Sequence, residues 1–158
     1  MEREERDNLI AQYADGYRAV AEALLKVTPE ELDAKPSPEA WSARQIVHHL
    51  ADSEITAAVR FRLLVAEDRP AIKGYDQDEF ARRLHYDRPH EASLELFRAA
   101  RASTADLMAQ LTEAEWLREG THSETGRFGL DTWLRMYGPH AHRHATQIRI
   151  ARGSLAKK

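Results

Sequence analysis

Two histidines stand four residues apart near the end of the chain, at positions 140 and 144. Read as a helix of about 100° per residue, Trp133 to Ala151 puts Leu130, Trp133, Tyr137, Ile148 and Ala151 in one sector, with both histidines among them. Arg135, His142 and Arg149 take the opposite, solvated side. Spacing i, i+4 stacks side chains one turn above another, which is a chelating geometry for two imidazoles. The zincin signature is absent, because alanine and not glutamate follows His140. The pair is also compatible with hydrogen-bonded core histidines or with the lining of a polar cavity, provided that each buried ring nitrogen finds a partner.

A third histidine comes from earlier in the chain. Ile46, Leu50, Ser53, Ala57, Phe61 and Leu64 form the buried stripe of a second long helix. His49 sits on the flank of that stripe, roughly 60° from Ile46. His48 points almost the opposite way, beside Ile55 and Val59, and is expected at the surface or at an interface. Three neutral imidazoles, His49, His140 and His144, leave an open position on a tetrahedral ion, the arrangement of a catalytic rather than a structural site. Such an ion lowers the pKa of a bound water. Imidazole suits zinc, nickel, copper and iron alike. With free imidazoles titrating near pH ~6.5, affinity is expected to fall between about pH 7 and pH 5. The Glu-x-x-His pattern of di-iron bundles is not met: its one spacing, Glu119 with His122, spans Gly120 in a loop.

The rest of the chain must position these groups. Its 158 residues, 42% hydrophobic and 31% charged, suit one soluble domain over the whole of 1–158 with a core of its own. Net charge is −3, and no basic patch points to nucleic acid. There is no cysteine, which excludes disulfides, thiolate ligands and a cysteine nucleophile. No apolar run reaches membrane length and no signal peptide precedes the first helix, so a cytoplasmic location is expected.

Leu9, Tyr13, Tyr17, Val20 and Leu24 predict a first helix over Glu2 to Val27, weakened by Gly16 in the same sector. Thr28-Pro29-Glu30-Glu31 is an N-cap, a proline at N1 and an acidic first turn. Ser42 with Gln45 is a capping box that opens the second long helix, which runs to about Glu67. A long connection, Asp68 to Pro89, carries a helical piece around Gln77 to Leu84. A third long helix spans about His90 to Leu111, with Arg101 and Thr104 in its apolar sector. Thr112 to Trp116 repeats the earlier capping pattern. Gly120 to Gly129 is a polar loop or small hairpin, and a fourth long helix starts near Leu130. No segment alternates long enough to require a sheet. The architecture is all-α, a four-helix bundle whose long link between the second and third long helices permits a crossover.

At these residues the chain resembles the DinB-like superfamily of bacterial proteins, and within it the YfiT-like group provisionally named metal-dependent hydrolases. The stretches that carry the likeness are Trp41–Ser53, with its His48-His49 pair, then Arg60-Phe61-Arg62, Arg69–Asp76, and His140–Ile148. Together they cover nearly the whole chain after Lys35. The resemblance implies an up-down-down-up bundle, often dimeric, and a divalent ion, usually nickel or zinc, held at positions that map to His49, His140 and His144. It implies hydrolysis or thiol-dependent S-transfer, with a low-molecular-weight thiol as cosubstrate. Pro139 departs from the family, which often has an aromatic residue there; in mid-helix it removes a hydrogen bond and kinks the helix.

Three functions follow as expectations. The first is an enzyme acting on small electrophiles, with Arg60 and Tyr75 the only substrate-side groups the pattern offers; a salt bridge and packing are the plainer roles for those two. The second is a non-catalytic, stress-related metal-binding module. The third is a metal-free bundle that acts only as a homodimer through the apolar face of Ile55 and Val59.

Overall fold

The computed structural model describes residues 1–155. It opens with α1 (Arg3–Ala23), a short α2 (Pro29–Asp33) and the long α3 (Ala43–Ala66). The link that follows holds a two-residue strand β1 (Ala71–Ile72) and α4 (Gln77–Arg83), and leads into α5 (Glu91–Met108). A 3₁₀ turn at Glu115–Leu117 precedes a hairpin, β2 (Glu119–His122) and β3 (Gly126–Gly129); α6 (Leu130–Tyr137) and α7 (His140–Gly153) complete the chain. Among the described residues no helix is long and apolar enough to cross a membrane.

Local chemistry sets the helix starts. The Thr28 hydroxyl accepts from the Glu31 amide at 3.2 Å while the Glu31 carboxylate accepts from the Thr28 amide at 3.0 Å. Ser42 and Gln45 make the same reciprocal pair, at 3.3 and 3.0 Å. The first helix stops earlier than its periodicity predicts, because Lys26 turns left-handed with φ 55°.

Cross-helix bonds give the directions. His48 meets Ser93 near the start of α3 and α5, and Arg62 meets Ser103 near the end of both, so these two run parallel. Glu5 with Arg135, Gln12 with His142 and Ala23 with Arg152 make the fourth helical element parallel to α1. Tyr13 with Arg101 sets α1 against α5, and Ala57 with Trp133, then His49 beside His144, set α3 against α6 and α7. In chain order the long elements run up, down, down, up.

Two apolar clusters fill the bundle. One joins Val20, Leu24, Ile46, Leu50, Phe97 and Ile148. The other joins Tyr13, Phe61, Leu64, Ile72, Phe128 and Trp133. A polar belt separates them. There Arg101 pairs with Glu54 at 2.6 Å, donates to the Tyr13 and Tyr137 carbonyls at 2.6 and 3.0 Å, and lies over the Tyr13 ring at 4.0 Å. The Tyr13 hydroxyl donates to the other Glu54 oxygen. Arg101 and Glu54 are each 1% exposed, so the polar admixture in the third long helix is an internal ion pair and not a solvated face. Gly16 belongs to this belt: a Cβ there would stand 2.7 Å from both Arg101 Nε and Ala141 Cβ. The glycine that weakens α1 as a helix is what lets α1 approach the buried guanidinium.

Three expectations are corrected. First, β1 pairs in parallel with β2 (Ala71 with Thr121, Ile72 with His122) and β2 pairs antiparallel with β3, giving a three-stranded sheet. Strands of two to four residues are too short to show period two, although the hairpin, Glu119 to Gly129, falls one residue from the Gly120 to Gly129 loop or small hairpin that the turn residues predict. Second, the fourth helix is two helices, broken at Gly138 and Pro139. Pro139 has no amide hydrogen to continue α6, and its carbonyl instead starts α7 by accepting from Arg143 at 3.1 Å. Gly138 fits the break because a Cβ there would meet Leu9 at 3.2 Å. Third, His48 is fully buried, not on the surface. The segment before α5 folds over it, so that Nε2 donates to the Arg88 carbonyl at 3.1 Å and Nδ1 accepts from Ser93 at 2.8 Å.

Candidate metal centre

His49 enters from the first half of α3, seven residues and about two turns beyond its cap Ser42. His140 is the first residue of α7, placed by the break at Pro139, and His144 follows one turn later. The three rings pack together, with centroids 4.5 Å apart for His140 and His144, 4.7 Å for His49 and His144, and 5.5 Å for His49 and His140. Trp41 closes the far side of His49 at 4.8 Å and Tyr137 lies 5.9 Å from His140.

The donor set fits a metal ion. One nitrogen from each ring lies within 4.8 Å of the others. Ligands of a tetrahedral ion bonded at about 2.1 Å stand about 3.4 Å apart, so ring movements on the order of 1 Å seat all three. The Nε2 atoms of His140 and His144 face each other at 3.1 Å, so in the neutral pair one ring donates its N–H and the other accepts on its lone pair. Nδ1 of His49 and Nδ1 of His144 are buried without partners. Buried polar atoms are rarely left so; the adjacent His48 has both ring nitrogens bonded.

Burial holds the cluster neutral. It lowers His49 to about 3, with a further push from the neighbouring His144, and lowers His144 to about 4. His140 falls to about 2 through burial first, then the charges of His144 and His49. The imidazoles therefore stand as free bases at neutral pH, the form that ligates.

Two clefts meet at the cluster. One of about 270 Å³ reaches His49 and His140 and is lined by Ser53, Arg60, Tyr75 and Tyr137 together with the hairpin's His122. The other, of about 370 Å³, reaches His144 between Trp41, Ile46 and Gln147. Gln77 at the start of α4 borders both. Arg60 and Tyr75, the two substrate-side groups of the sequence pattern, thus share a cleft with two of the histidines. Among the described residues Arg60 has no salt-bridge partner; its Nη1 donates to the Tyr137 hydroxyl at 3.0 Å, its Nη2 to the Lys73 carbonyl at 2.5 Å, and its guanidinium lies 5.7 Å from the Tyr75 ring centre. Ser53, His122 and Tyr137 were not among the sequence candidates. Tyr137 shares the helical sector of His140 and was accessible to the same arithmetic. His122 was not, because its place depends on the pairing of β2 with a strand fifty residues earlier.

Residues 12–148 match the family described as the DinB superfamily. The chain belongs to that superfamily. Within it, a protein of Oceanobacillus iheyensis provisionally named a metal-dependent hydrolase is 31% identical over 139 residues, 88% of this chain and 81% of the relative. A protein of Halalkalibacterium halodurans with the same provisional name is 26% identical, over 80% of this chain and 75% of its own. The DinB-superfamily bundle also superposes on YfiT from Bacillus subtilis with a TM-score of 0.90 and 26% identity, covering 99% of this chain and 90% of that one. YfiT is described, again provisionally, as a metal-dependent hydrolase with an unusual four-helix bundle topology.

Proposed function

We propose that this DinB-superfamily protein is a cytoplasmic enzyme in which His49, His140 and His144 hold one divalent ion, nickel or zinc, and which acts on small electrophilic molecules. The observation that carries the reading is the convergence of three neutral imidazoles, one buried and two half-buried, two of them with an unpartnered Nδ1, where two clefts meet. When bound, such an ion supplies Lewis acidity and lowers the pKa of a coordinated water or thiol. The chain supplies the rest. Burial keeps the ligands deprotonated, Trp41 and Tyr137 fix the outer rings, and Arg60 places a positive charge in the cleft. Two separate approaches to one centre favour a two-substrate reaction, transfer of a low-molecular-weight thiol to an electrophile, over simple hydrolysis.

The reading is tested with tag-free protein loaded with nickel or zinc, assayed with a low-molecular-weight thiol and an activated aryl halide, and separately with an activated ester. The expected outcome is metal-dependent thiol consumption. It should fall by more than about 100-fold in His144→Ala, beyond the 10–100-fold typical of losing an outer-shell partner. Metal binding without turnover of either substrate would favour the non-catalytic module instead.

We also propose that the protein is a homodimer. Ile55 is 38% and Val59 51% exposed on the outer face of α3. With Leu63, Ile72 and Phe80 they line an apolar groove of about 620 Å³ beside the cleft, and such faces commonly self-associate. Light scattering at micromolar concentration should give twice the chain mass, and Val59→Glu should return it to one; a wild-type monomer contradicts the proposal.

A further inference from the structure

Three arginines of the described chain are buried, and two of them have a carboxylate partner. Arg6 pairs with Glu113 at 2.5 Å and Arg101 with Glu54 at 2.6 Å. Arg60 is 7% exposed and has none within ion-pair distance. Its two bonds go to neutral acceptors, a phenol and a backbone carbonyl, and its Nε–H is buried without any partner. A guanidinium has five N–H donors, so this one is under-used as well as unneutralised. Holding a cation out of water without a counter-charge is unfavourable. The guanidinium is also held in place, between the Tyr137 hydroxyl, the Lys73 carbonyl and the Tyr75 ring.

Arg60 lines the cleft that contains His49 and His140, and it also borders the apolar groove of Ile55 and Val59. Tyr137 links the two ends: its hydroxyl accepts from Arg60, and its ring packs against His140. We propose that Arg60 is the carboxylate-recognition group of this cleft, so that the substrate is a small monocarboxylate whose acid group sits at the guanidinium while its reacting end lies at the histidines. This rests on reading the cleft as the substrate site of the metal centre. The chemistry selects the class. The planar fork of arginine matches a carboxylate or a phosphate. A second carboxylate, Glu124, lines the same cleft and disfavours a dianion. A volume of about 270 Å³ lies at the low end for small-molecule sites and limits the ligand to metabolite size.

The probes are butyrate, inorganic phosphate and chloride at equal ionic strength, added to metal-loaded and to chelator-treated protein. In the wild type the buried Arg60 Nε–H resonance, assigned by its loss in Arg60→Lys, should shift saturably with butyrate and not with chloride. Butyrate should also raise the melting midpoint with the logarithm of its concentration. Arg60→Met should weaken butyrate binding by about 10- to 100-fold, the range for hydrogen bonds to a charged group. Its midpoint in chloride should not drop, whereas a purely packing role for Arg60 requires a drop. Should Arg60→Met fail to fold, the wild-type resonance decides. An equal response to chloride, a stronger response to phosphate, or full butyrate binding by Arg60→Met overturns the assignment. Metal uptake with no butyrate response removes this proposal and leaves the metal centre; a butyrate response in protein that takes up no metal removes the metal centre and leaves the anion site.

Discussion

Replacing Arg101 by methionine should destabilise the protein by about 3–5 kcal/mol, the usual consequence of removing one partner from a buried ion pair. For a domain of this size that is a fall of roughly 6–20 °C in melting midpoint. The residue sits in the polar belt between the two apolar clusters, and its side chain satisfies the Glu54 carboxylate and two backbone carbonyls at once. The Tyr13 hydroxyl is already committed to the other Glu54 oxygen and does not take over those acceptors. Burial raises the Glu54 pKa and Arg101 opposes that rise, so without Arg101 the carboxyl takes up a proton, which limits the loss. Glu54→Gln leaves the guanidinium uncompensated and should also be severe. The double variant Arg101→Met, Glu54→Gln should lose less than the sum of the two, since it removes both charges. Urea denaturation of the four proteins checks this; additive losses would show that the pair is not coupled.

This belt marks the limit of what the chain reveals by itself. The long helices and both capping boxes were legible because their signals are local: an apolar stripe at helical period, or a hydroxyl three residues before a glutamate or glutamine. His49, His140 and His144 were legible for the same reason, each lying on or beside a buried stripe, and the structure brings them together. What failed was non-local. His48 faces outward on its own helix but is covered by the segment before α5. The sheet joins residues fifty positions apart through strands too short for a pattern. The break in the fourth helix was signalled by Pro139, but its consequence, that His140 becomes the first residue of a new helix, was not. The distinction among Arg6, Arg60 and Arg101 was equally hidden, because acidic residues occur all along the chain and only the fold shows which arginine lacks one.

Metal should stabilise the fold by the second large effect. At free nickel or zinc about 100-fold above the dissociation constant, linkage gives about 2.7 kcal/mol, or roughly 5–11 °C in midpoint, reversed by chelator. Ligation joins α3 to α7, a contact absent from the unfolded chain. The metal-free protein should stay folded, since the two apolar clusters do not depend on the ion. Its pH dependence follows from the lowered imidazoles. The unfolded chain takes up protons near pH ~6.5, while the folded histidines resist until about pH 4 or below. The unfolded state therefore binds more protons in that window, and stability present above pH ~6.5 is lost as pH falls through it. Metal affinity of the folded site should accordingly persist below the pH 7 to 5 range expected for free imidazoles.

The most direct test of the metal centre counts ions per chain. Tag-free protein prepared without chelators, exposed to nickel or zinc and dialysed, is analysed for metal alongside His49→Ala, His140→Ala and His144→Ala, with circular dichroism confirming that each is folded. One ion per wild-type chain, and a folded His144→Ala with none above background, is the predicted result. Wild-type protein that retains no ion, or His144→Ala that retains a full one, would contradict it.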